Sequence, residues 1–163
     1  MKKVAVIMGS DSDMEIAKKA VNVLKEFNVP YRVRVLSAHR TPVEAAQFAE
    51  SLEAEGYGAV IAIAGMAAHL AGAVAARTVL PVIGVPVASS LSGMDALLST
   101  VQMPSGIPVA SVAVDGAKNA AYLAAQIIAT SDEALREALW NARREAEAGV
   151  LEKDAFVGKF FES

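Results

Sequence analysis

The chain has 163 residues, 54% of them hydrophobic and only 6% aromatic, with a formal net charge of −3. That length fits one domain with a sizeable core, residues 1–163, of which 152–163 read as a C-terminal tail. There is no cysteine, the 15 Lys and Arg form no cluster, and no apolar run approaches the ~20 residues of a membrane span. Disulfides and thiolate metal sites are therefore excluded, and nucleic-acid binding and membrane insertion are disfavoured.

In chain order the pattern is β-α-β-α-β-α-β, then a long loop, then β-α-α. The first strand is Lys3 to Met8. A helix from about Ser12 to Phe27 follows, with apolar Ala17, Ala20, Val21, Leu24 and Phe27 at helical spacing and a capping box of Ser12 with Glu15. The second strand is Tyr31 to Leu36. Thr41-Pro42-Val43-Glu44 opens a helix that ends near Glu55, with Gly56 as its stop. The third strand is Ala59 to Ala64, the third helix runs from His69 to about Arg77, and the fourth strand is Val82 to Val85. Ala88 to Pro108 is a long Ser-, Gly- and Pro-rich connection with a helical piece around Met94 to Thr100, a length that is usually functional. Val109 to Val114 is the fifth strand, and Asp115-Gly116 a turn. The helix from Lys118 to Thr130 is almost wholly apolar, which predicts burial on both sides. Thr130 and Glu133 cap a charged helix ending near Leu151, and Phe156, Phe160 and Phe161 in the tail are suited to docking on a neighbour.

Strands alternating with helices imply an open parallel α/β sheet, and at this size the order 2-1-3-4-5 is expected. Ligands then bind outside the carboxyl ends of the strands, at the switch point between strands one and three. Both histidines of the chain fall in loops at that edge. Gly9-Ser10-Asp11-Ser12-Asp13 precedes a helix N-terminus, where N–H groups and the helix dipole favour an anion. It lacks the Walker Lys and the three-glycine fingerprint, which argues against ATP or NAD in their usual modes. Two acids beside a phosphate would repel it, so Asp13 is better suited to sugar hydroxyls. Capping explains Ser12, and competes as the account of Ser10 and Asp13.

Ser37-Ala38-His39-Arg40-Thr41-Pro42 joins an Arg suited to forking a phosphate to an imidazole, the side-chain type suited to proton transfer. A surface Arg beside a locally bonded His is the plainer account. Gly65-Met66-Ala67-Ala68-His69-Leu70 lets a planar ligand approach the backbone closely; the plainer account is a tight turn with an incidental His. Two imidazoles alone rarely make a metal site, so none is expected. Ser89-Ser90-Leu91-Ser92-Gly93 and Gln102-Met103-Pro104-Ser105-Gly106 either wall the pocket or are ordinary turns.

Taken together the motifs resemble a known family. Met8-Gly9-Ser10-x-Ser12-Asp13, Ser37-Ala38-His39-Arg40-Thr41-Pro42, Ala67-Ala68-His69-Leu70, Val101-Gln102-Met103-Pro104-x-Gly106-x-Pro108 and Lys118-Asn119-Ala120 occur in the order and at the spacing of the N5-carboxyaminoimidazole ribonucleotide mutases of purine biosynthesis. The resemblance covers roughly residues 3 to 152. It implies a three-layer flavodoxin-like domain with a C-terminal helix, a homo-octamer with sites at subunit contacts, and an enzyme without ATP, metal or organic cofactor; a cytoplasmic location is the default expected from the composition. It implies that Ser10, Asp13 and Arg40 bind the ribonucleotide, joined by Ser37 and by the loop residues Gly9, Gly65, Ala67 and Ala68. It makes His39 the proton shuttle and places His69 by the carboxylate and CO2 region. Met66 and Ala71 depart from the family, which usually has Gly and Pro there. A sister class that carboxylates aminoimidazole ribonucleotide directly has Lys after the first His and lacks the Ala-Ala-His loop, so His39-Arg40 and His69 place this chain with the mutases. The direct carboxylase is the nearest rival reading. A non-catalytic module binding FMN or a phosphorylated partner is a distant one, as the loops lack clear aromatic stacking residues.

Overall fold

The computed structural model describes residues 1–162. Five strands form one parallel sheet: β1 (Lys3–Met8), β2 (Tyr31–Val35), β3 (Tyr57–Gly65), β4 (Val82–Val87) and β5 (Ala110–Ser111). Their order is β2-β1-β3-β4-β5, the expected one. Six helices accompany them: α1 (Met14–Glu26), α2 (Pro42–Ser51), α3 (Leu70–Ala75), α4 (Met94–Val101), α5 (Ala117–Ala129) and α6 (Glu133–Glu162).

Successive strand residues point to opposite faces, and the sheet is apolar on both. Val4, Val6 and Met8 of β1, with Ile61 and Ile63 of β3, pack under α1, α5 and the start of α6. Ala5, Ile7, Val60 and Ala62 pack under α2 and α3. No polar face is left on β1 or β3, so these strands fix the centre of the three layers. On α1 the buried set is Ala17, Ala20, Val23 and Leu24, with Phe27 buried just past its end; Val21, expected inside, is only half-buried because Val23 takes the inner position.

The helix starts differ from the expected capping. Ser12 does not cap α1. Ser10 accepts the Ser12 N–H at 3.4 Å, Asp11–Asp13 form a 3-10 turn, and α1 begins after Asp13 with no side-chain cap. Thr41 precedes Pro42 as expected, but its hydroxyl turns back to Ser37, accepting the Ser37 N–H at 2.9 Å and donating to the Ser37 carbonyl at 3.1 Å. The cap of α6 is Asp132, whose Oδ1 accepts the Leu135 N–H at 3.0 Å; the Thr130 hydroxyl bonds the Ile127 carbonyl instead. Gly56 has φ of 80°, the left-handed stop expected after the second helix, although α2 itself closes at Ser51.

Two elements differ in extent. β5 keeps only two ladder residues, at the sheet's edge. α6 does not end near Leu151 but continues through the expected tail to Glu162, its exposed far part carrying Val150, Leu151, Phe156, Val157, Phe160 and Phe161. The apolar α5 is largely covered within one chain, by α1, β3 and α6, so it needs no partner to bury it. Among the described residues no helix is long and apolar enough to cross a membrane.

Candidate active site

The carboxyl ends of β1, β2 and β3 lie side by side because Met8 pairs with both Val35 and Ile63. The ladder extends one step past the strands. Gly9 N–H donates to the Ile63 carbonyl at 3.0 Å, and Leu36 N–H to the Met8 carbonyl at 2.9 Å. Three loops are thereby held at one edge, around a cavity of about 490 Å³, within the range of small-molecule sites.

The β1 loop contributes Gly9, Ser10 and Asp13 to this cavity, and the β2 loop Ser37, His39 and Arg40. The β3 loop contributes Gly65, Ala67 and His69. Of the residues the family resemblance assigns to the site only Ala68 turns away; it is 2% exposed and packs inward, so its methyl serves the fold, and of the Ser89 to Gly93 stretch only Ser89 reaches the cavity. Six further residues line the cavity: Ser12, Ala38, Ala64, Met66, Leu70 and Ser89. Ser89 arrives from β4, whose Val87 pairs with Gly65. A Cβ built on Gly65 would stand 2.6 Å from Ser89 Oγ, so glycine is what lets the two loops meet. The second half of the long connection does not reach this site. Gly106 to Pro108 line a separate cleft with Arg77 and Pro81, whose charged groups are already matched by the Arg77–Glu50 pair at 2.8 Å and the Thr78 hydroxyl on Glu53 at 3.2 Å.

Arg40 spans two loops. Its Nη2 donates to the Gly9 carbonyl at 2.9 Å, and its backbone N–H donates to Ser37 Oγ at 3.1 Å. Its Nε also donates to Ser37 Oγ at 3.5 Å, which leaves Nη1 and the second Nη2 N–H of the five guanidinium donors for an anion above the Gly9 turn. His39 Nε2 lies 2.8 Å from His69 Nδ1, with the rings nearly perpendicular at 82°. One proton sits between these nitrogens, since two facing N–H groups cannot approach so closely. Either ring can be its donor, and the tautomer of one ring sets that of the other. Asp13 is 8% exposed, and burial pushes its carboxyl above the ordinary aspartate value, against the lowering effect of its hydrogen bonds from Ser12 and Ser10. Its desolvated oxygens face the cavity as hydrogen-bond acceptors. Among the described residues no cluster of three or more His, Asp or Glu is placed to hold a metal ion.

Met66 has φ of 55°, the left-handed region, at an exposed position of 61%. Such backbone costs of order 1 kcal/mol for a non-glycine residue. The turn is held by Ala68 N–H to the Met66 carbonyl at 2.9 Å and by His69 N–H to the Ala67 carbonyl at 2.8 Å.

Residues 3–148 match the family model described as AIR carboxylase. The chain is 52% identical over 151 residues to the N5-carboxyaminoimidazole ribonucleotide mutase of Pyrococcus horikoshii, covering 92% of this chain and 85% of that protein. It is 50% identical over 158 residues to the protein of the same name in Methanocaldococcus jannaschii, covering 97% and 99%. Against the Escherichia coli mutase it is 52% identical over 153 residues, covering 92% and 90%. In structure it is similar to Treponema denticola PurE, with a TM-score of 0.82 and 31% identity over 93% of this chain and 96% of that one. A PurE2 variant from the same organism gives a TM-score of 0.86 and 32% identity, covering 95% and 98%.

Proposed function

The chain belongs to the AIR carboxylase family, and we propose that within it the chain is an N5-carboxyaminoimidazole ribonucleotide mutase of purine biosynthesis, moving a carboxylate from N5 to C4 of the aminoimidazole ring. The observation that carries this reading is the His39–His69 pair, 2.8 Å apart, at a strand-end cavity shared with Arg40 and Asp13.

Those residue types suit the reaction. The N5–carboxyl bond breaks with its electron pair going to N5, which takes a proton from the imidazole and releases CO2. The freed ring is electron-rich at C4, attacks the CO2 beside it, and gives its C4 proton back. One proton leaves the histidine pair and one returns, so no other base is required. His39 carries that proton; His69, bonded to it, lines the CO2 region. Holding CO2 beside C4 replaces a bimolecular encounter with an oriented one. Arg40 takes the phosphate, while Ser10 and Asp13 take ribose hydroxyls and Ser37 holds the Arg40 backbone. Gly9, Gly65 and Ala67 keep the walls low. The cycle as written uses no ATP, metal or organic cofactor.

Assembly as a homo-octamer in the cytoplasm goes with this reading. The apolar far half of α6 and the exposed Val33 and Val35 of β2 support association of copies. The deciding experiment is conversion of N5-carboxyaminoimidazole ribonucleotide without ATP. Product from that substrate supports the mutase. Product only from the uncarboxylated ribonucleotide with bicarbonate would make the chain a direct carboxylase.

A further inference from the structure

We propose that Ser89 is a specificity-determining residue of this site: its hydroxyl donates a hydrogen bond to the ring carboxylate of the ribonucleotide, and Asp115, which lies outside the cavity, is the positioning residue that holds it there. The proposal rests on the mutase reading above and names the group that tells a carboxylated ribonucleotide from a bare one.

Four serines line the cavity, and three are engaged within their own loops. Ser10 Oγ donates to Asp11 Oδ1 at 3.2 Å, Ser12 Oγ donates to Asp13 Oδ1 at 3.5 Å, and Ser37 Oγ accepts the Arg40 backbone N–H at 3.1 Å. Among the described residues the Ser89 hydroxyl alone of the four makes no hydrogen bond. It rests against Gly65, where a Cβ would be 2.6 Å from Ser89 Oγ. Its donor is therefore open to the ligand.

That hydroxyl does not stand on a slack loop. Ala88 N–H donates to Asp115 Oδ1 at 3.0 Å, Ser89 N–H to the Val87 carbonyl at 3.0 Å, and Ser90 Oγ to the Asp95 carboxylate. Asp115 is itself pinned. Its N–H donates to the Pro86 carbonyl at 2.9 Å, and its φ of 57° is left-handed backbone that Asp tolerates better than most residues. One carboxylate oxygen thus ties the end of β4 to the turn that leads into α5, and sets where Ser89 begins.

The sheet says which group of the ligand Ser89 meets. Arg40 reaches the Gly9 turn on β1, and Ser89 comes from β4, on the far side of β3. Neighbouring strands are about 4.8 Å apart, so two steps separate these groups by roughly 10 Å, the reach of a ribonucleotide from its phosphate to a substituent on its base. With the phosphate on Arg40, the ring edge faces the β3 and β4 side. The walls there include Ala64, Gly65 and Ala67, which offer a carboxylate no side-chain donor. An anion set among such groups is costly unless a donor meets it. The N5 and C4 carboxylates stand on neighbouring positions of one ring edge, so a single hydroxyl serves both substrate and product. The bare ring carries only an amino group and a C–H there, and gives that hydroxyl no charged acceptor.

The test uses the full chain and its Ser89→Ala, Asp115→Gly and Asp115→Asn variants. Calorimetry measures their affinities for the C4-carboxylated and for the bare aminoimidazole ribonucleotide. Ser89 is exposed, so Ser89→Ala should melt with the parent. It should bind the carboxylated ribonucleotide about tenfold more weakly, the loss of a hydrogen bond to a charged group, and bind the bare one as the parent does. Its kcat/KM on the N5-carboxylated substrate should fall in step. Asp115→Gly removes the oxygen while relaxing the backbone, and should lose part of the same selectivity. Asp115→Asn keeps an oxygen in that place and should restore it. A merely structural role for Asp115 would weaken both ribonucleotides alike. Because Asp115 acts through Ser89, the double variant Ser89→Ala with Asp115→Gly should bind no more weakly than Ser89→Ala alone. Parent-like affinity of Ser89→Ala for the carboxylated ribonucleotide, or an equal loss for both, would overturn the proposal while leaving the mutase reading intact. Losses that multiply in the double variant would overturn the role given to Asp115. A parent that binds neither ribonucleotide would instead remove the mutase reading, and this proposal with it.

Discussion

His39 Nε2 and His69 Nδ1 share one hydrogen bond of 2.8 Å across two loops that are thirty residues apart in sequence. The pair therefore holds its protons as a unit: moving the shared proton exchanges which outer nitrogen is donor and which is acceptor. His39→Asn should leave the fold and nucleotide binding in place and lower turnover by about 10²–10⁴-fold, the usual cost of a missing general acid–base. His69→Ala removes the partner, and at the least the orienting bond, worth about 1 kcal/mol or roughly fivefold in rate. Near-normal turnover in a folded His39→Asn protein would show that the proton moves elsewhere.

Arg40→Ala should weaken substrate and product alike, because both carry the same phosphate. A hydrogen bond to a charged group contributes roughly 1.5–3 kcal/mol, and the exposure of Arg40 favours the low end, about tenfold in affinity. Calorimetry with the product ribonucleotide measures this directly. Unchanged affinity would place the phosphate away from the Gly9 turn.

The strand order and the three converging loops were readable from the sequence because each carries its own local signal. Alternating apolar strands end in Gly9-Ser10, Ala38-His39 and Ala68-His69, and topology brings those ends together. Residues whose place depends on tertiary pairing were not readable. Ser89 joins the site only because β4 lies beside β3, with Val87 opposite Gly65. The left-handed turn at Met66 is a conformation its residue type argues against. The capping expectation at Ser12 failed because Ser10, two residues earlier, takes its N–H. The continuation of α6 was missed because three phenylalanines looked like a docking tail, although Glu152, Lys153 and Ala155 are good helix formers.

The buried Asp13 carboxyl makes stability pH-dependent in a defined direction. Burial raises its folded-state pKa above the unfolded value, so the folded chain holds that proton to higher pH. Stability from this group is then greatest below the ordinary aspartate range and is lost as pH rises through the raised pKa. At neutral pH the folded protein carries a desolvated charge. Asp13→Asn should therefore raise the melting temperature at neutral pH, lose that advantage in acid, and weaken ribonucleotide binding. Paired melts of parent and variant across this range test the sign. An Asn variant that melts lower at neutral pH would mean that the carboxylate is better solvated or better bonded than its burial implies.

The far half of α6 predicts the state of assembly. Phe156, Phe160 and Phe161 are 71%, 66% and 81% exposed, and Val150 and Leu151 are exposed behind them. A soluble chain rarely leaves so much contiguous apolar surface in water. By light scattering at micromolar concentration the full chain should therefore have a mass several times 16.9 kDa, and an octamer is the expected value. Deleting 152–163 removes three of those aromatics but no buried residue of either core. The shortened chain should keep its secondary structure by circular dichroism, fall in assembled mass, and melt at a temperature that depends on concentration. If the shortened chain holds the same mass as the full one, association runs through another surface, and the exposed Val33 and Val35 edge of β2 becomes the place to probe. A full chain that is monomeric at that concentration would contradict the assembly outright.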